Sequence, residues 1–397
     1  MKGEFGMSFQ RLDTVSMLEE KLAAAEDIRL YGAGYYLNFF LGELGKLSVN
    51  YREKIKCIMV SDVKKNPASV QRIPIVSYKD EDLTGENHFV FLTLGHRFAR
   101  EVYSQLEEYG CSVFEIDFNM FQREAYLDME QIMHPFIEEF PHNTLSLDQP
   151  VQTSEIMAWT CWWQGEEQAP ELVKICLASQ RKNLPQGVRH IVITQDNYSD
   201  YIRLPQHIID KVQSGDITYT TLSDILRNAL LYKYGGFWMD STILVLKPLD
   251  SEILQYPFYT RNIPETQYCT SAMWAGWFMY GKPGNPLFQF VSEGFYYYYS
   301  KYDKIKYYFT IDYLIALACN RIPGVEDLLK AVPYNNEKAA ELLSHLTEQY
   351  DEARYAGFIK GTTIQKLSYK FTWKREEDKE NSVYSYLKDT YLENKYL

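Results

Sequence analysis

The chain has 397 residues, 46% hydrophobic and 24% charged, which is room for two or three domains with cores of their own and too apolar for a disordered chain. A net charge of −12 argues against a nucleic-acid partner, because phosphate binding needs concentrated positive charge. Six cysteines, at 57, 111, 161, 176, 269 and 319, form no C-x-x-C pair and read as reduced thiols rather than a disulfide framework or zinc site. No secretory h-region opens the sequence, and no run reaches the ~18 apolar residues of a membrane span, so a cytoplasmic protein is expected, at most peripheral at the membrane.

The first stretch alternates strand and helix. "IRLYGAG" is strand then glycine turn, "YYLNFFLGEL" a helix, "KIKCIMVSD" and "HFVFLTLG" strands, "FAREVYSQLEEYG" a helix and "SVFEID" a strand. Such alternation predicts a parallel sheet with crossover helices over residues 1–120. Gly32 and Gly34 after the first of these strands resemble the first half of a dinucleotide fingerprint, with Asp62 near the place of a ribose-binding acid. The competing reading is a glycine turn needed only for close helix–strand packing. Residues 121–150 lose the rhythm and read as a helical connector with a proline-ended exit.

A second α/β stretch, 151–397, begins with the strand "EIMAWTCWWQG". The helix "APELVKICLASQRKNLP", the strand "RHIVITQDN", the helix "PQHIIDKVQSG" and a short strand "ITYTT" follow. In "LSDILRNALLYKYGG" the apolar positions 222, 225, 226, 229 and 230 fall on one helical face, with Ser223 the expected N-cap and Gly235 the residue past the end. Asp224 and Arg227, three apart, share a face. The strand Phe237-Trp238-Met239 then delivers Asp240 to a sheet edge, where ligands bind in open α/β folds.

The pattern D-x-x-R, an apolar stretch and then Y-G-G-F-W-M-D-S-T resembles the donor-site signature of GT-A glycosyltransferases with a DXD motif. It is most similar to the capsular polysaccharide synthesis group within the retaining glycosyltransferase family 32, which also holds fungal Golgi mannosyltransferases. The resemblance runs from about Glu155 to about Lys370 and takes in "WTCWWQGEEQAP", "LP-x-H-I" at 204–208 and "IQKLSYK" at 364–370. It implies an α/β chain with a GT-A-type nucleotide-sugar transferase domain preceded by a smaller Rossmann-like parallel-sheet domain. Asp240 would hold a divalent Mg²⁺ or Mn²⁺ on the donor diphosphate, and Asp224 and Arg227 would bind sugar hydroxyls. Gly235 and Gly236 would let the sugar approach backbone. Trp162, Trp163 and Gln164 would flank the nucleotide, Asp196 and Asn197 would touch its base or ribose, and Lys366 would neutralise the leaving diphosphate. Thr242 stands where many such enzymes carry a second acid, which weakens the expected metal affinity.

Asp312, in "FTIDYLIALA", is either an acceptor-side acid or an N-terminal dipole partner of its helix. The segment "FYYYYSKYDKIKYYF" interleaves Lys301, Lys304 and Lys306 with aromatics, as on a lipid-facing surface, or packs tyrosines on neighbouring helices. The expected function is sugar transfer from a nucleoside diphosphate sugar to a surface glycan or lipid-linked glycan acceptor. The alternatives are a nucleotide-dependent sugar-modifying enzyme acting through the N-terminal domain, and a non-catalytic glycan-binding protein.

Overall fold

Alternating apolar strands and amphipathic helices fold, in a computed structural model, into two units, Met1–Leu127 and Asp128–Leu397. The structure describes residues 9–83, 88–140, 148–151, 153–263, 273–372 and 380–393. Both units are mixed α/β with parallel-rich sheets.

The first unit runs β1 (Phe9–Leu12), α1 (Val15–Ala24), β2 (Asp27–Tyr31), α2 (Tyr35–Leu44), β3 (Ile55–Val60), β4 (Ser69–Val70), β5 (Ile73–Ser77), β6 (His88–Leu92), α3 (His96–Leu106) and β7 (Ser112–Ile116). Its sheet has the order β1-β7-β6-β2-β3-β5-β4, parallel except for the β4–β5 pair. The central strands are apolar on both faces because both are covered. Phe89 and Phe91 of β6 join one core cluster, while Val90 and Leu92 join the other, as the two-residue period of a strand requires. Strand order reverses at β2, with β3 and β5 to one side and β6 and β7 to the other. Helix α4 (Asn119–Glu139), with Pro135 inside it, contains the division between the units.

The second unit runs β8 (Ile156–Cys161), α5 (Glu171–Asn183), β9 (Val188–Ile193), α6 (Tyr198–Tyr201), α7 (Gln206–Ser214), α8 (Tyr219–Tyr234), β10 (Gly236–Met239), β11 (Ile243–Val245), β12 (Phe258–Thr260) and β13 (Phe278–Gly281). It continues through α9 (Pro286–Lys301), α10 (Thr310–Arg321), α11 (Val325–Lys330), α12 (Glu352–Ile359), β14 (Ile364–Lys366) and α13 (Val383–Tyr391). Five strands make a sheet of order β12-β13-β10-β8-β9, in which β8 is parallel to both β9 and β10. Strand order reverses here too, at β8, so the loops after β8 and β10 leave the same end of the sheet in opposite senses. A separate two-stranded ribbon pairs β11 with β14, antiparallel, setting Ile243 opposite Lys366.

Two local expectations fail. "ITYTT" is no strand, because α8 already begins at Tyr219. Its N-cap is therefore Thr218, not Ser223, and the Thr218 side chain accepts from the backbone N–H of Thr221. A run of β-branched residues reads as strand, but a threonine hydroxyl placed to take an orphan N–H outweighs that weak preference.

In α9, Phe295, Tyr296, Tyr298 and Tyr299 are buried, whereas Tyr302, Tyr308 and Phe309 further along the tyrosine-rich segment are exposed. Lys306 bonds Asp128 at 2.8 Å, Lys304 lies 3.8 Å from Asp216, and Lys301 lies over the Tyr297 ring at 5.7 Å. Among the described residues no helix is long and apolar enough to cross a membrane, and the five described cysteines are free.

Candidate functional site

The second unit's reversal point gathers its chemistry at the C-terminal ends of β8 and β10. Trp238 is fully buried, yet its indole Nε1 donates to Asp240 Oδ1 at 3.0 Å, so one side chain serves the core and the site together. Helix α8 brings Arg227 from the other direction. Arg227 Nη2 donates to Asp240 Oδ1 at 3.0 Å and lies 3.1 Å from Asp224 Oδ1, and its guanidinium stacks 5.1 Å above the Trp238 ring. Gly276 makes room for it, since a Cβ there would fall 2.8 Å from Arg227 Nη1. From β14, Lys366 Nζ donates to Asp240 Oδ2 at 2.6 Å and to Thr242 Oγ1 at 3.0 Å. Asp240, Asp224, Arg227, Lys366 and Thr242 thus form one connected cluster.

The backbone under Asp240 is held as firmly. Gln180 of α5 donates to the carbonyls of Asp240 (3.1 Å) and Ile243 (2.9 Å). Its Oε1 accepts from Thr160 Oγ1 at 2.8 Å and from His190 Nε2 at 3.0 Å. Burial, reinforced by Arg181, pushes His190 down to about 4, and its Nδ1 has no hydrogen-bond partner among the described residues. The unfolded histidine titrates near 6.5. Between pH 6.5 and 4 the unfolded chain therefore binds a proton that the folded chain does not, and stability falls as pH falls through that window. The expected loss for the second unit is about 3 kcal/mol, at roughly 1.4 kcal/mol for each tenfold difference in proton affinity. Urea midpoints measured from pH 7.5 to 4.5 should show this slope in the wild type and a flatter one in His190→Gln.

Electrostatics divide the three acids. Burial alone would raise Asp240, but Lys366 and Arg227 outweigh it and hold the carboxyl below its ordinary value. Burial pushes Asp224 up to about 7, with Arg227 opposing and Asp240 and Asp312 adding to the rise. Burial likewise pushes Asp312 up to about 6, against a hydrogen bond from Trp274 Nε1 to its Oδ1 at 2.9 Å. One fixed anion thus stands beside two acids that hold or release a proton near neutrality, a set suited to orienting hydroxyl groups. Asp312 lies in the first turn of α10, within electrostatic reach of Asp224 and Arg227.

The remaining expected residues have more local surroundings. Gly235 (φ +65°) and Gly236 (φ +89°) are crowded by protein: a Cβ at Gly235 would meet Gly281 O at 2.7 Å, and one at Gly236 would meet Met157 O at 2.0 Å. Trp162 follows β8, packs edge-on against Tyr369 at 5.5 Å, and buries an Nε1 that has no partner among the described residues. Trp163 lies against Tyr198 and Tyr219, and Gln164 is exposed. Asp196 is exposed. Asn197 spends its amide on its own turn, accepting from Thr194 N at 2.8 Å and donating to Val192 O at 2.9 Å. Sequence reasoning missed Trp238, Gly276, Trp274 and Gln180, since an aromatic in an apolar run, a lone glycine and a mid-helix glutamine carry no signal of their own.

As arranged, these residues make a poor divalent-metal site. Both Asp240 oxygens already accept from cationic groups, Asp224 faces Arg227, and no group of three acidic, histidine or cysteine side chains with metal-ligand geometry occurs among the described residues.

In the first unit, Gly32 (φ +110°) is forced by packing, as a Cβ there would fall 2.3 Å from Leu94 Cδ2 and 2.9 Å from Thr93 O. Gly34 precedes α2 at its N-cap position, and the third fingerprint position is Leu37, fully buried. Asp62 caps the short turn after β3, accepting from Lys64 N at 3.0 Å.

No curated protein matches the chain at a significant level. A family model described as "Capsular polysaccharide synthesis protein" matches residues 113–387, a span that contains the whole Asp240 cluster. Because that match covers well over half of the sequence, the chain belongs to the capsular polysaccharide synthesis protein family.

Proposed function

We propose that the second unit is a GT-A-type glycosyltransferase that moves a sugar from a nucleoside diphosphate donor to a capsular or similar glycan, with retention at the anomeric carbon. The observation that carries this reading is Asp240, an ionised carboxylate delivered by a strand end and clamped between Arg227 and Lys366. Breaking the sugar–phosphate bond builds negative charge on the departing diphosphate. Two cations held in place by one carboxylate meet that charge without reorganising, and electrostatic stabilisation of this kind is the largest part of such catalysis. Asp224 and Asp312, poised near neutrality, then orient sugar hydroxyls, Asp224 on the donor side and Asp312 toward the acceptor. The buried Trp162 Nε1, without a partner among the described residues, is a donor awaiting an acceptor, as expected beside a bound nucleotide.

A thermal-shift screen of UDP-, GDP-, ADP- and dTDP-sugars tests this reading, because a ligand of the native state raises its melting temperature. One nucleotide class is expected to raise it and to be turned over. No shift from any of them, with no turnover, would sink the proposal.

The strand order of the first unit favours a second reading for that unit alone. Successive strands β2, β3 and β5 on one side and β6 and β7 on the other reproduce the arrangement of dinucleotide-binding sheets. Fluorescence titration with NAD(H) checks it, and absence of binding at millimolar cofactor removes it.

A further inference from the structure

Asp240 Oδ2, on the carboxylate expected to hold a divalent ion, and Thr242 Oγ1 are already bridged by one ammonium. Lys366 Nζ lies 2.6 Å from the first and 3.0 Å from the second. The strand carrying Lys366 fixes that position. Lys366 is paired with Ile243 across the β11–β14 ribbon, its own N–H donates to Ala339 O at 2.6 Å, and Leu367 N donates to Thr242 O at 2.9 Å. Asn336 Oδ1 accepts from both Thr363 N and Ile364 N just upstream, and the neighbouring Gln365 is fully buried. The ribbon therefore fixes the backbone from which the lysine reaches Asp240. The other Asp240 oxygen is saturated by Arg227 and Trp238.

An ammonium has three donors, and two are used here among the described residues. With the Lys366 side chain 30% exposed, the third can meet an oxygen arriving from solvent. A divalent ion on Oδ2 would sit about 2.0–2.6 Å from the oxygen that the ammonium also holds, bringing two positive charges onto one oxygen. Thr242, in place of an acid, offers no second negative charge to offset that repulsion.

We propose that Lys366 stands in for the divalent cation, so that the Asp240–Thr242 pair serves to position an ammonium, and the donor diphosphate is bound by Lys366 and Arg227 without metal. This inference rests on the donor-site reading above. It makes Lys366 the group that sets diphosphate affinity, and it turns the threonine of D-x-T from a weakened metal ligand into an acceptor matched to a lysine.

Isothermal titration of the full chain with UDP, GDP, ADP and dTDP, first in EDTA and then with Mg²⁺ or Mn²⁺, separates the cases. In the wild type one diphosphate is expected to bind in EDTA, with affinity changed less than about threefold by either ion. In Lys366→Met the affinity in EDTA is expected to fall at least tenfold, with Mn²⁺ recovering part of it through the freed Asp240 and Thr242 oxygens. Lys366→Arg should stay within a few-fold of wild type. Binding that requires metal in the wild type would overturn the inference while leaving the donor site standing, and this arm needs no variant to fold. Unchanged affinity in a folded Lys366→Met would also overturn it. Failure of every diphosphate to bind, with and without metal, would bring down the donor-site reading and this inference together.

Discussion

Asp240→Asn is expected to lower sugar transfer by about 10³-fold, the scale of losing a preorganised electrostatic contact at a developing charge. The substitution keeps the shape of the side chain and removes only its charge. Arg227 and Lys366 then lose the anion that holds them on either side of one carboxylate, so both cations shift away from the positions that meet the diphosphate. Stability falls as well. Breaking a buried ion pair costs about 3–5 kcal/mol, but Asp240 is 25% exposed and water screens part of this, so about 2 kcal/mol is the expected loss. Transfer assays at saturating donor, alongside urea midpoints, separate the two effects. Wild-type turnover by a folded Asp240→Asn protein would remove Asp240 from the reaction.

Gly236→Ala is expected to cost more in folding than any change in the cluster itself, about 4 kcal/mol or more, because overpacking and backbone strain add. The new Cβ would stand 2.0 Å from the carbonyl oxygen of Met157, a backbone atom of the neighbouring parallel strand, at φ +89° where side chains are strained. Neither a rotamer change nor a flexible side chain can absorb that contact. The β8–β10 pairing at Phe237–Ala158 and Trp238–Trp159 must open, and Asp240 moves with it. Denaturation of Gly236→Ala should show a second unit far less stable than that of the wild type. A midpoint shift corresponding to less than about 1 kcal/mol would contradict the packing argument.

Those two residues mark how far the sequence could be read. The glycine pair was legible as a special turn, and Phe237-Trp238-Met239 as the strand delivering Asp240. The reason for the glycines was not legible, since the atoms that crowd them belong to Met157, Gly281 and Pro283. Strand and helix positions in the first unit followed from apolar runs and turns, because both faces of that sheet are buried and the local pattern is strong. β1, α1, β4 and β5 were not legible: β1 and β4 are short, β5 carries Pro74, and α1 mixes apolar with charged positions. Asn197 shows the opposite limit. A polar residue at a strand end suggests ligand contact, yet its amide is consumed by the loop it stabilises, and only the folded chain reveals such a bond. Lys366 is beyond any local pattern. A lysine in a short strand looks like a solvated side chain until the ribbon places it on Asp240, and the family resemblance alone pointed to it.

The ribbon itself has a consequence for how the protein is made. Asp240 and Lys366 are 126 residues apart in the chain, and β11 has no strand partner among the described residues until β14 has been synthesised. While the intervening residues emerge from the ribosome, Arg227 can already lie on Asp240, but β11 presents an unpaired edge of Ile243, Leu244 and Val245. Translation that stops short of residue 364 leaves that edge open and the carboxylate without its lysine.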